Sequence, residues 1–192
     1  MSAPLDQDSR WVRLMKEGRR CSSCEEIHAG VFDLASFSPE HWRGAKEYQP
    51  NIQIRLDGDF LSEDFCVIAG ADFFVRGVVE LPIIGSGGVV FAYGVWSTLS
   101  RENFKAYADR FDAGAAGDED WFGWFSNRLK AYPETLNLKC RVRPRAGRRR
   151  PIFLLEPTDH PLAREQASGI SFDRLLEIYA ANGHDLRASL TN

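Results

Sequence analysis

Three apolar runs in the middle of the chain constrain its fold most. Phe65-Cys-Val-Ile-Ala, Asp72-Phe-Phe-Val-Arg-Gly-Val-Val-Glu-Leu-Pro-Ile-Ile84 and Val89-Val-Phe-Ala-Tyr-Gly-Val-Trp-Ser-Thr-Leu99 are rich in β-branched and aromatic residues, which suit a pleated, half-buried surface. Gly70-Ala71 and Gly85-Ser-Gly-Gly88 separate them at hairpin spacing, so the runs predict an antiparallel meander. The second glycine cluster joins strand to strand and lacks the following helix and lysine of a phosphate loop, so it reads as a turn.

A chain of 192 residues with 44% hydrophobic and 27% charged residues can bury a core as one domain without disulfides. The net charge of -3 argues against general attraction to nucleic acid or membrane, although a local patch can differ. No apolar run of about 18 residues suggests a membrane span, and residues 1–20, with Asp6, Asp8 and Glu17, do not read as a secretory signal. The expected compartment is therefore the cytoplasm, where four cysteines favour metal binding or burial over disulfides.

Helices are expected over 9–16, with Ser9 as cap and Gly18 as stop, over 38–46 from Pro39, over 100–111 with Ser100 as cap, and over 158–166 and 171–181, the last ended by Gly183. Further strands are expected over 32–37, 52–56, 137–145 and 152–156, the last two around Ala146-Gly147. The segment 112–120 reads as an exposed loop, and Trp121-Phe-Gly-Trp-Phe125 as a core-capping turn or helix start. The resulting class is α+β: a central antiparallel sheet of about five to six strands flanked by helices, with an N-terminal C-x-x-C knuckle. Residues 1–20 form a helical extension and 21–192 one domain.

Six motifs occur in order: Cys21-x-x-Cys24 with His28, Phe73-Phe-Val-Arg-Gly77, Gly94-Val-Trp-Ser-Thr-Leu-Ser100, Phe122-Gly-Trp-Phe-Ser-Asn127, Tyr132-Pro-Glu-Thr-Leu136 and Glu156-Pro-Thr-Asp-His-Pro-Leu162. In these the chain resembles an uncharacterised bacterial family, domain of unknown function 2199, over about residues 20–179. The family typically has glycine after the second cysteine, where this chain has Glu25; glycine tolerates the left-handed backbone of tight knuckles. The resemblance supports a single domain and implies no activity. Association of similar small bacterial domains with toxin immunity is an analogy only.

Two thiolates three positions apart can share one ion at a metal–sulfur distance of about 2.3 Å, so Cys21 and Cys24 form half of a tetrahedral zinc site. The remaining ligands are expected from His28, Cys66 and His160, with His41 a weaker candidate and Asp159 a supporting partner of His160. Four protein ligands would make zinc structural; three plus water would suit hydrolysis with Asp159 or Glu156 as base. Redox chemistry is a weaker reading, since no helix N-terminus activates the pair. Cys66 or Cys140 as a nucleophile with His160 competes with simple burial of a small thiol. Arg76 and Glu80, four apart on one strand, read as a solvated ion pair.

The stretch 139–150 carries seven basic residues in twelve. Lys139, Arg141, Arg143 and Arg145 alternate along a strand, followed by Arg148, Arg149 and Arg150, which suits phosphates or an acidic protein, or simply a charged edge protected from aggregation. Without a convergent catalytic set, the expected function is that of a non-enzymatic interaction domain, immunity-like or regulatory, with a structural zinc. A metal-dependent hydrolase near His160 and a nucleic-acid binder through 139–150 are the alternatives, and no membrane partner is expected.

Overall fold

A computed structural model describes residues 4–21, 24–115, 117 and 119–191. Ser22 and Ser23 of the expected knuckle, and Ala116 and Asp118 of the expected loop, lie outside them. The chain runs α1 (Ser9–Glu17), β1 (Arg19–Arg20), β2 (Ile27–His28), β3 (Leu34–Ala35), β4 (Phe60–Leu61), β5 (Phe65–Ile68), β6 (Asp72–Pro82), β7 (Val90–Leu99), α2 (Arg101–Ala113), β8 (Trp121–Trp124), β9 (Lys139–Arg143), β10 (Ile152–Leu155), α3 (Pro161–Ser168), α4 (Phe172–Ala181) and α5 (Arg187–Thr191).

The meander forms where the glycine turns place it. Strands β5, β6 and β7 pair antiparallel, with β6 and β7 in register from Phe73↔Leu99 to Pro82↔Val90. The class is α+β, but among the described residues the sheet is mixed and has eight strands, in the order β3-β7-β6-β10-β9-β8, with β5 also pairing β6 and β4 pairing β5. Both β3 on β7 and β10 on β6 are parallel, which corrects the antiparallel expectation. These added strands are short and are joined to their partners by long crossovers, so no local turn announces their direction. The sheet also curls: Phe125 bridges back to Ser97, and the Ser126 amide donates to the Trp96 carbonyl at 2.8 Å.

The two faces are covered differently. Phe65, Phe73, Val75, Val79 and Val95 face the main core, where Phe104 and Tyr107 of α2 and Leu175, Ile178 and Tyr179 of α4 are fully or almost fully buried. Trp11 and Leu14 of α1 join the same core, Trp11 meeting Phe172 edge-on at 5.2 Å. The opposite face carries a smaller cluster, Leu61, Cys66, Phe74 and Trp96, against which Trp42, Tyr48 and Ile68 pack.

That second face explains two expectations that do not hold. Residues 38–46 form turns and not a helix; the segment lies along the sheet to seat Trp42 and Tyr48. Residues 52–56 form no strand: Ile52, 87% exposed, lies within a single turn, Asn51–Gln53, and 54–56 are irregular. Ile54 and Leu56 pack against the main core from irregular backbone, and among the described residues no neighbouring strand pairs with them. The stretch 121–125 is likewise a strand: Trp121, Gly123 and Phe125 point inward, Phe122 and Trp124 outward.

Candidate metal centre

β1 and β2 form a small hairpin in which Arg19 pairs with His28 and Arg20 with Ile27. Its loop is tied by the Cys21 amide donating to the Glu26 carbonyl at 2.8 Å and the Glu25 amide donating to the Cys21 carbonyl at 3.0 Å. Glu25 takes φ 63°, the left-handed region. The hairpin places Cys24 Sγ 3.2 Å from His28 Nε2.

The fourth member comes from the other end of the chain. After α4 the backbone turns at Gly183, φ 86°, and the His184 amide donates to the Tyr179 carbonyl at 2.9 Å. The Tyr179 hydroxyl clamps residue 32 twice, accepting from the Phe32 amide at 2.9 Å and donating to the Phe32 carbonyl at 2.8 Å. The Phe32 ring stacks on Tyr179 and on His28, each at 4.1 Å, and His184 meets His28 edge-on at 5.1 Å. Packing therefore fixes both imidazoles before any cation arrives.

One donor atom each from Cys21, Cys24, His28 and His184 lies within 4.8 Å of the others. Bonds of about 2.0–2.3 Å in a tetrahedron separate ligands by about 3.3–3.8 Å, so closing around zinc requires each pair to shorten by no more than about 1.5 Å. His184 Nδ1 is buried without a hydrogen-bond partner among the described residues, a lone pair that a cation would satisfy. Burial first, and then His184, holds the His28 imidazole below its usual value, which favours the neutral, ligating form. The Glu26 backbone favours a Cys24 thiolate, but burial and neighbouring Cys21 together hold the thiol above its usual range; a bound cation would reverse that balance. Two thiolates and two imidazoles in this arrangement fit tetrahedral zinc.

The structure brings Cys21, Cys24 and His28 together but not Cys66 or His160. Cys66 is fully buried in β5, opposite Leu61 and Phe74, and burial pushes its thiol up. His160 caps α3, its Nδ1 accepting from the Leu162 amide at 3.2 Å, and His41 is exposed in a turn. Cys140 contacts Ser97 Oγ at 3.2 Å, and burial raises its thiol to about 11. Neither Cys66 nor Cys140 is a ready nucleophile. None of the four cysteines is disulfide-bonded. His184 carried no motif signal: it stands alone after a helix, and only its position in space distinguishes it.

The basic stretch is largely engaged. Arg143 pairs with Asp120 through two bonds of 2.8 and 2.6 Å, Arg145 with Glu80 at 3.2 Å, Arg150 with Asp64 at 2.8 Å, and Arg141 approaches Glu156 at 3.7 Å. Arg148 donates to the Asp112 carbonyl and Arg149 to that of Ala146. Glu80 therefore does not pair with Arg76, which is buried. Aromatic neighbours come from β8: Phe122 faces Arg141 and Trp124 faces Lys139, each cation 6.0 Å from its ring.

No described helix is long and apolar enough to cross a membrane. No curated protein and no solved structure matches the sequence. The profile of the family described as "uncharacterized protein conserved in bacteria", DUF2199, matches residues 20–170, and the chain therefore belongs to that family.

Proposed function

We propose that this protein is a non-enzymatic interaction domain whose two ends are clipped together by one structural zinc ion held by Cys21, Cys24, His28 and His184. The observation that carries the reading is the mutual approach of two thiols and two imidazoles from opposite ends of the chain. Four protein donors leave no position for a reacting water, which favours a structural over a hydrolytic ion. A reducing, cytoplasmic setting suits four cysteines without disulfides.

The surface we assign to the partner is the outer side of β8 and β9, with Phe122 and Trp124 about two-fifths exposed among Lys139, Arg141 and Arg143. An acidic protein segment with apolar anchors fits it. The two rings meet edge-to-face at 5.0 Å with a cation beside each, so neither offers the open face that a stacked base needs.

Elemental analysis of protein purified without chelator should give one zinc per chain, lost in Cys21→Ser/Cys24→Ser; substoichiometric metal, or metal unchanged in that variant, would overturn the assignment. For the surface, anisotropy of a labelled Glu- and Leu-rich peptide should show binding that weakens with salt and falls in Trp124→Ala. Tighter binding of oligo(dT) would transfer the surface to nucleic acid.

A further inference from the structure

Among the described residues Arg76 forms no ion pair. It projects from β6 onto the second face, is 8% exposed, and stands over the Trp96 ring at 5.9 Å. The neighbouring Asp64 is already engaged: its Oδ1 accepts from Arg150 Nε and its Oδ2 from Asn51 Nδ2, both at 2.8 Å. Among the described residues only Nη1 of Arg76 is hydrogen-bonded, loosely, to the Tyr48 hydroxyl at 3.2 Å and the Glu63 carbonyl at 3.4 Å. Its Nε is buried without a partner, and so is Oδ1 of Asn51. Burial first, and then the nearby Arg150, disfavour the charged guanidinium, and the smaller favourable effects of Tyr48 and Asp64 do not restore it. A buried charge with only part of its cost offset remains unfavourable by several kcal/mol, more than a cation–π contact of about 1–2 kcal/mol returns.

An open pocket of about 350 Å³ lined by Tyr48, Gln49, Pro50, Asn51 and Glu63 lies beside this group, with Arg76 behind its Tyr48 and Glu63 wall. Tyr48 and Glu63 are the residues that Arg76 bonds, and Asn51 holds the other orphaned atom. The volume suits a small ligand. We propose that this cavity binds a small organic oxyanion, a carboxylate or phosphate ester bearing a neighbouring hydroxyl. The oxyanion supplies the counter-charge that Arg76 lacks, and Asn51 Oδ1 accepts from the hydroxyl. The site lies on the opposite face of the sheet from the main core and is independent of the zinc.

The test is calorimetric titration of the metal-loaded protein with inorganic phosphate, glycerol 3-phosphate and malate, with zinc content measured in the same samples. At least one hydroxyl-bearing probe should bind at one site with a millimolar or tighter Kd, and more tightly than phosphate. Arg76→Met should weaken it at least about tenfold, the loss of a charged hydrogen bond, and should raise the melting midpoint of the probe-free protein. Glu63→Gln, which removes a negative charge at the exposed rim, should tighten binding about two- to threefold and keeps the test open should Arg76→Met not fold. No saturation by about 20 mM, or equal binding by wild type and the Arg76→Met or Glu63→Gln variants, would overturn the proposal.

Discussion

Glu25 holds a left-handed backbone, φ 63°, without the freedom of glycine. A side chain there costs about 1–2 kcal/mol in the folded state, partly offset because glycine is more flexible when unfolded. Glu25→Gly should therefore raise stability by about 0.5–1 kcal/mol, read from urea unfolding. Gly123 is constrained in the opposite sense. A Cβ there would stand 2.3 Å from Ser97 Oγ and 2.5 Å from the Thr98 carbonyl oxygen. The hydroxyl can rotate away but the carbonyl cannot, so Gly123→Ala should destabilise by about 2–3 kcal/mol in the same measurement.

At the level of elements, α1 is capped by Asp8 and not by the expected Ser9. Asp8 Oδ1 accepts from the Arg10 amide at 2.9 Å, and the Arg10 side chain extends on to Asp173 of α4 at 2.7 Å. Asp8→Ala should cost about 1 kcal/mol and Ser9→Ala nearly nothing. The Arg10 hydrogen bond, against a smaller opposing effect of burial, holds the Asp8 carboxyl below its ordinary 3.8. A depressed carboxylate contributes its stabilisation in full above that ordinary value and loses it as the pH falls through the folded one. Asp8→Asn should accordingly lower the melting midpoint at neutral pH and flatten its decline below about pH 4. At the far edge of the sheet, β8 turns an aromatic stretch that reads as core into two inward and two outward residues. Alternation alone does this, once β9 has fixed the strand's register.

Across the whole molecule, the four candidate donors join the first hairpin to the turn before α5, so an ion held by them, as proposed, would be thermodynamically linked to the fold. At a metal excess of 100 to 1,000 times its dissociation constant the linkage is worth about 3–4 kcal/mol. For a domain of this size, stripping zinc with a chelator should therefore lower the melting midpoint by roughly 10 °C. His184→Ala should reproduce most of that fall, and Cys66→Ser should leave zinc content unchanged. His184 lies beyond residues 20–170, the part of the chain that the family profile covers, so family motifs alone do not locate it.

What the sequence by itself determined is what neighbours along the chain enforce. The glycine turns dictate the β6–β7 hairpin; Ser100, which accepts from the Asn103 amide at 3.1 Å, and Gly114, φ 66°, delimit α2; and Cys21, Cys24 and His28 fall within one small hairpin. Tertiary structure alone decided the parallel strands, the arrival of His184, and the burial of Arg76 beside an acid already claimed by Arg150 and Asn51. Each of these depends on segments far apart in the chain, brought together by burial of apolar surface, a non-directional force that does not encode in local spacing which distant segments will meet.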